Sequence, residues 1–269
     1  MPYVCADYSK YKFVNVCWNS ENGIATVTLK RPPVNSLTAE FLRELSSLLL
    51  DLEKDETQGL IFTSEFDEKV FSAGLDFKEL YRPSIDHAKE FMSLLHSFSF
   101  RLSCTAYPTV AVINGHAPAG GCIIPLCCEY RIGLNNFTIG LNELKFGILL
   151  PDWLSSLMIH TIGSRNAEQA ILSGTLFSSE HALRIGLVDE IAPTKEVALE
   201  KATAFLNKAK IVNRSLRLDA KLHLRRPILQ EFQKDIENEL AKNVSLLMSD
   251  KVQQSLDAHI KILKEKRGN

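Results

Sequence analysis

The chain has 269 residues, with 45% hydrophobic and 23% charged residues, and its 31 Lys+Arg against 32 Asp+Glu leave a formal net charge of −1. That length supports a full hydrophobic core, and the composition excludes a disordered or collagen-like chain. No apolar run reaches the roughly 18 residues that span a bilayer, and near-neutral charge gives no long-range field for gathering nucleic acid or anionic lipid, so neither a membrane span nor a nucleic-acid partner is expected.

Two β-rich runs, Phe13 to Cys17 and Ile24 to Leu29, flank Asn19-Ser20-Glu21-Asn22-Gly23 and read as an antiparallel pair, because Asn-Gly tolerates the positive φ of a tight turn. After Pro32-Pro33 the apolar spacing becomes helical, through Leu37, Phe41, Leu45, Leu48, Leu49 and Leu52, with Thr38 near the start. Gly59 to Thr63 and Thr109 to Asn114 are bare apolar runs on either side of a helical stretch from about Asp86 to Cys104, the pattern of buried parallel strands. From Ala119 a Gly-Gly pair leads into a buried helix over Cys122 to Cys128, which tolerates Pro125 in its first turns.

Strands are expected at Tyr130 to Leu134 and Phe137 to Leu141, then helices at Asp152 to His160, Arg165 to Ser173 and Ser179 to Ile185, and a short strand at Leu187 to Ile191. Asp152 reads as a helix N-cap. Beyond Pro193 the pattern is helical throughout. Leu229, Phe232, Ile236, Leu240, Val244 and Leu247 form one stripe, and Val252, Leu256, Ile260 and Leu263 another, each facing the core or a partner subunit. The chain thus divides into an α/β core, residues 1–193, and a helical subdomain, 194–269, with no Gly/Ser/Pro linker between them.

Cys5, Cys17, Cys104, Cys122, Cys127 and Cys128 make no C-x-x-C pair and no regular framework, so all six read as structural, Cys127 and Cys128 as small buried hydrophobes. The first arginine is Arg31 and no apolar signal core precedes it, so a transit or secretory segment is not expected in this chain, and the terminal Lys-Arg-Gly-Asn is not a Ser-Lys-Leu address. The seven histidines, at 87, 96, 116, 160, 181, 223 and 259, form no H-x-x-x-H or H-E-x-x-H pattern, so no metal site is expected. Ser72 is not in a G-x-S-x-G elbow. Arg214, Arg217, Lys221 and Arg225 fall on one helical face, read as solvated, with a phosphate contact as the alternative.

Three segments depart from ordinary core or surface. Phe71-Ser72-Ala73-Gly74-Leu75-Asp76-Phe77 and Asn114-Gly115-His116-Ala117-Pro118-Ala119-Gly120-Gly121-Cys122 are small-residue turns leaving apolar strands for helices, where backbone N–H groups unused by any ladder face outward and suit a developing oxyanion. In Ile139-Gly140-Leu141-Asn142-Glu143-Leu144-Lys145-Phe146-Gly147-Ile148 one carboxylate lies among apolar residues just past a strand. Desolvation there raises its pKa towards neutrality, which suits an acid/base; a glutamate bonded to backbone or to Lys145 is the plainer reading.

Phe-Ser-Ala-Gly-Leu-Asp, Asn-Gly-x-x-x-Ala-Gly-Gly-Cys and Gly-Leu-Asn-Glu together resemble the crotonase, or enoyl-CoA hydratase/isomerase, superfamily, and within it the mitochondrial-type Δ3,Δ2-enoyl-CoA isomerases. Pro-Val-Asn-Ser-Leu at 33–37, Cys-Glu-Tyr-Arg-Ile at 128–132, Ile162-Gly163, Ala182-Leu183 and Gly186-Leu187-Val188-Asp189 extend the likeness over most of residues 13 to 265. The resemblance implies a crotonase-like spiral of ββα units with a helical C-terminal subdomain that serves trimerisation, so a homotrimer, in the mitochondrial matrix or alternatively a peroxisomal or cytosolic setting. It implies a fatty acyl-CoA (enoyl-CoA) substrate and no cofactor, coenzyme A being part of the substrate. It also assigns the N–H groups of Leu75 and Gly120 to an oxyanion hole, Ala73, Gly74, Leu75, Asp76 and Phe77 to the substrate path, and the acid/base to Glu143. Hydratases of this family carry a second acid three residues after the oxyanion-hole glycine; here that position is Ile123, which favours moving a double bond over adding water. A family member that binds CoA thioesters without turning them over is the non-enzymatic alternative.

Overall fold

The computed structural model describes residues 8–67 and 69–268, without the side chains of 263, 264 and 266–268. The chain opens with an antiparallel pair, β1 (Val14–Asn19) and β2 (Ile24–Leu29), then α1 (Ala39–Lys54), β3 (Gly59–Ser64), α2 (Phe77–Leu80), α3 (Ile85–Ser103), β4 (Thr109–Ile113) and β5 (Ala117–Pro118). It continues with α4 (Ile123–Cys127), β6 (Tyr130–Leu134), β7 (Thr138–Gly140), α5 (Asp152–Ser173), β8 (Phe177–Ser178), α6 (Ser179–Arg184) and β9 (Glu190–Ala192). Five helices close it: α7 (Lys195–Ala209), α8 (Arg214–Leu224), α9 (Arg226–Gln233), α10 (Ile236–Leu247) and α11 (Asp250–Gly268).

A six-stranded sheet runs β1-β2-β3-β4-β6-β9, parallel from β2 onward, and a three-stranded sheet runs β5-β7-β8. After β2, β3, β4 and β6 the chain crosses to the second layer, where Leu37 bridges Leu75, Val70 bridges His116 and β5 pairs β7 in parallel. This repetition is the crotonase-like spiral.

The bare apolar runs are explained by burial of both faces of the large sheet. Leu60, Phe62, Ala111 and Ile113 point into the main core with α1 and α3, while Ile61, Val110, Val112 and Ile132 alternate to the other face, beneath Ala198, Ala202 and Leu206 of α7. Thr38 caps α1 by accepting a hydrogen bond from the Phe41 amide at 3.2 Å, and Phe41, Leu45, Leu48, Leu49 and Leu52 are all buried. The main core continues through Ile228, Phe232, Val244, Leu247, Val252 and Leu256, so the C-terminal helices share it.

The two helices expected at 152–160 and 165–173 are both present, as the halves of α5 on either side of a kink where Gly163 has non-helical backbone (φ 77°, ψ 156°). Other expectations are corrected. The strand expected at Leu187–Ile191 is Glu190–Ala192, because Leu187 and Val188 plug the core from a turn and Asp189 turns to Arg131, 3.0 Å away. The stripe from Leu229 to Leu247 is broken where Asp235 takes a left-handed conformation between α9 and α10. Asp152 is the first residue of α5 rather than its cap; Pro151 holds the cap position, and the Asp152 amide donates to Glu239 of α10 at 3.1 Å.

The basic face of α8 is not solvated. Lys221 and Arg217 pair with Glu129, Lys221 also donates to Thr105, and Arg225 donates to the carbonyls of Ser103, Cys127 and Cys128. Cys122, Cys127 and Cys128 are buried, Cys104 is half-buried, and Cys17 is exposed on the edge strand β1. Cys5 lies outside the described residues, and the Leu263 side chain, expected on the last stripe, outside the described side chains.

Candidate active site

The turn after β3 is clamped from the Pro-Val-Asn-Ser-Leu segment. The Ala73 amide donates to Val34 O (2.9 Å), the Leu37 amide to Gly74 O (2.7 Å) and the Asp76 amide to Leu37 O (3.0 Å), an isolated piece of parallel ladder. Buried Asn35 donates through Nδ2 to Ser64 Oγ and Phe71 O, both at 2.9 Å, and Ser72 Oγ donates to Asn35 O at 2.8 Å. Asp76 caps α2 by accepting from the Lys78 amide and pairs with Arg31 at 3.2 Å. With its carboxylate engaged there, Asp76 shapes the turn.

The second turn, Ala119–Cys122, is pressed against the first. Gly74 has φ 87°, open to glycine at no steric cost, and a Cβ on it would lie 2.9 Å from Gly120 N; one on Gly121 would lie 2.2 Å from Ser72 O. A Cβ on Gly120 would be 3.1 Å from Leu75 N. Only glycines let these backbones meet, and the amides of Leu75 and Gly120 end up side by side. Among the hydrogen bonds of the described residues neither amide is a donor. Gly120 stands in the first turn of a 3-10 helix, where amides have no acceptor within the turn.

Glu143 arrives from the neighbouring strand. β5 and β7 are parallel, in register at Ala117↔Ile139 and Pro118↔Gly140, and each runs straight into a 3-10 turn, so Gly120 and Glu143 emerge from adjacent strands at the same level. Glu143 is 7% exposed and its Oε2 has no hydrogen-bond partner among the described residues. Burial pushes its carboxyl up from 4.5 to about 7, opposed by a hydrogen bond from its own amide. The Cys122 thiol is close enough to feel that charge, which adds to the rise its burial already imposes. Among the described residues no hydrogen bond or ion pair joins Glu143 to Lys145, whose stem runs against Gly174; of the plainer reading, only the bond from the residue's own backbone amide is present, and Oε2 remains unpartnered. Ile123, beside this turn, is 1% exposed and belongs to the main core.

The site therefore brings together Gly74, Leu75, Gly120 and Glu143, with Ala73, Asp76 and Phe77 half-buried along the first turn. Trp153 is part of the core, its ring stacked on Phe232 at a centroid distance of 4.8 Å. Sequence reasoning missed the fastening roles of Asn35, Arg31 and Ser72; the one available signal was the Pro-Val-Asn-Ser-Leu match. Among the described residues no three His, Cys, Asp or Glu side chains are grouped as metal ligands, and no helix is long and apolar enough to cross a membrane.

Two amides with no acceptor of their own, and one desolvated carboxylate on the paired neighbouring strand, are groups chemically able to stabilise an enolate-type oxyanion and to transfer a proton, set on a spiral of paired parallel strands. The sequence pattern of the enoyl-CoA hydratase/isomerase family matches residues 19–267, and the chain belongs to that family. It is 38% identical to the mitochondrial enoyl-CoA delta isomerase 1 of Mus musculus, covering 91% of this chain and 86% of that one, and 36% identical to the Homo sapiens protein of the same name, covering 91% and 82%. A short-chain-enoyl-CoA hydratase of Clostridium acetobutylicum is 29% identical over 68% of this chain and 70% of its own length. The crystal structure of human mitochondrial delta3-delta2-enoyl-CoA isomerase superposes with a TM-score of 0.91 at 35% identity, covering 95% of this chain and 99% of that one.

Proposed function

We propose that this protein is a Δ3,Δ2-enoyl-CoA isomerase, moving the double bond of a 3-cis- or 3-trans-enoyl-CoA to give the 2-trans-enoyl-CoA, as needed in β-oxidation of unsaturated fatty acids. The observation that supports the reading is one buried carboxylate with an unpartnered oxygen, Glu143, on the strand paired with the one that leads to Gly120, with buried apolar Ile123 where the resemblance would put a second acid. Glu143 removes a proton from carbon two. The electron pair moves into a dienolate whose oxygen accepts hydrogen bonds from Leu75 N–H and Gly120 N–H, and Glu143 returns the proton to carbon four. The proton balance closes on one side chain, so the chemistry asks for no metal or redox cofactor, and coenzyme A enters only as part of the substrate. Ala73, Gly74, Leu75, Asp76 and Phe77 border the thioester path, with Asp76 acting through the turn it holds.

Names of the relatives support a mitochondrial location. Exposed Ile211, Val212, Leu216 and Leu224, on α8 and the turn before it, offer an apolar face for a homotrimer. Hydration is the second reading, favoured by the Clostridium relative, but it requires polar groups that orient water, and Ile123 supplies none. The test is turnover of 3-trans-hexenoyl-CoA beside hydration of crotonyl-CoA, for wild type and Glu143→Gln. Isomerisation lost in the variant, with negligible hydration, is the expected result. Comparable hydration would overturn the role given to Ile123, and no turnover of either substrate would favour a CoA-thioester binding protein.

A further inference from the structure

The turn that carries Leu75 and the turn that carries Glu143 are both held from outside by α11. Phe77, two residues after Leu75, and Phe146, closing the turn that Glu143 opens, approach with ring centroids 6.3 Å apart. His259 of α11 completes the group, 5.4 Å from Phe77 and 4.5 Å from Phe146. The helix is tied down on both sides of this triad. Tyr81 donates to Asp257 at 2.9 Å, Gln253 accepts from the Arg82 amide at 2.7 Å and donates to Leu80 O at 3.0 Å, and Ser255 stands against Gly147. The strand pairing at Pro118↔Gly140 sets the level of Gly120 and Glu143, and the three rings join the outer ends of the Leu75 and Glu143 turns.

We infer that His259 is a positioning residue, which locks Phe77 to Phe146 and so fixes the Glu143 carboxylate relative to the Leu75 amide while keeping water from the outer side of the Glu143 turn. It acts through the two phenylalanines and does not touch the reacting atoms. The inference rests on the isomerase reading for its kinetic part. Ionisable groups around the Glu143 turn are the Cys122 thiol across the paired strands, Lys145 on the turn itself, and on α11 His259 with the mutually paired Asp257 and Lys261.

The experiment compares wild type, His259→Ala and His259→Phe in two readouts. One is kcat and KM for 3-trans-hexenoyl-CoA across pH; the other is the Glu143 titration midpoint, taken from the pH dependence of thermal stability against the same protein carrying Glu143→Gln, which needs no substrate. His259→Ala is expected to lower kcat on the order of 10- to 100-fold with little change in KM. Its Glu143 midpoint is expected to fall by about half a unit or more as water reaches the turn. His259→Phe, which keeps a ring in the triad, is expected to restore both. Wild-type kcat and midpoint in His259→Ala would overturn the inference, and so would equal losses in both variants, which would make His259 merely part of the docking of α11. If wild type does not isomerise the substrate, the functional reading fails instead, and the midpoints still decide whether His259 governs the Glu143 turn.

Discussion

Glu143 is kept desolvated at a cost to the fold, and both its chemistry and its stability effect follow from that. Its carboxyl sits near 7 in the folded chain against 4.5 when exposed, so the folded chain retains a proton that the unfolded chain releases between those values. The group therefore favours the fold most below pH 4.5, and that contribution is lost as pH rises through about 7. Replacing it with Gln is expected to stabilise the protein above about pH 8 by up to ~3 kcal/mol, with no difference near pH 4, as read by urea denaturation at the two pH values. The same carboxylate must be ionised to act as base, so kcat/KM is expected to rise with pH and level off above about 7. Glu143→Gln is expected to reduce kcat by roughly 10²- to 10⁴-fold. A flat pH profile between 5 and 9 would contradict the assignment. At Gly121 a Cβ would stand 2.2 Å from Ser72 O, so Gly121→Ala must push the 71–77 and 119–122 turns, which the proposed mechanism uses as oxyanion donors, apart. A displacement near 1 Å costs on the order of 100-fold in kcat, while far-UV circular dichroism should hardly change.

At the scale of elements, α8 is held by buried charge. Burial depresses the Lys221 ammonium to about 8, and the opposing pull of Glu129 is what keeps it charged at neutral pH. Glu129 is itself buried, which would raise its carboxyl, but Lys221 and Arg217 hold it below the ordinary range. Lys221→Ala leaves Thr105 without its donor and weakens the compensation of Glu129, so a loss of about 3 kcal/mol is expected in urea denaturation. Helix α5 carries a different device. Gly163 interrupts it at φ 77° with open space around the Cβ position, so Gly163→Ala meets no clash and only the backbone penalty. A loss of about 1–3 kcal/mol in thermal denaturation is expected, because φ 77° with ψ 156° is a region open essentially to glycine alone.

For the whole molecule, one core runs from Tyr11 of the N-terminal segment to Leu256 of α11, so the C-terminal helices and the sheet are stabilised together. Leu216 and Leu224 of α8 are among the exposed large hydrophobic side chains of the described residues, and with Ile211 and Val212 they lie close together in the chain. Replacing Leu216 and Leu224 together with Glu is expected to convert a homotrimer to monomer in sedimentation velocity, without lost helicity. A wild-type monomer at micromolar concentration would refute the trimer.

The sequence by itself determined the elements whose signals are local. Period-2 and bare apolar runs placed β2, β3 and β4, the 3.6-residue stripe with Thr38 placed α1, and small-residue turns marked 71–77 and 114–122, because propensity and burial pattern act within a few residues. The resemblance then pointed to Leu75, Gly120 and Glu143. Tertiary structure alone decided what depends on contacts between distant segments. The parallel pairing of β5 with β7 brings Gly120 level with Glu143, Arg217 and Lys221 leave the solvent for Glu129, and His259 reaches Phe77 and Phe146 from the far end of the chain. None of these is written in spacing, since desolvation, and with it the chemistry of Glu143, is a property of what surrounds a residue after the chain has folded.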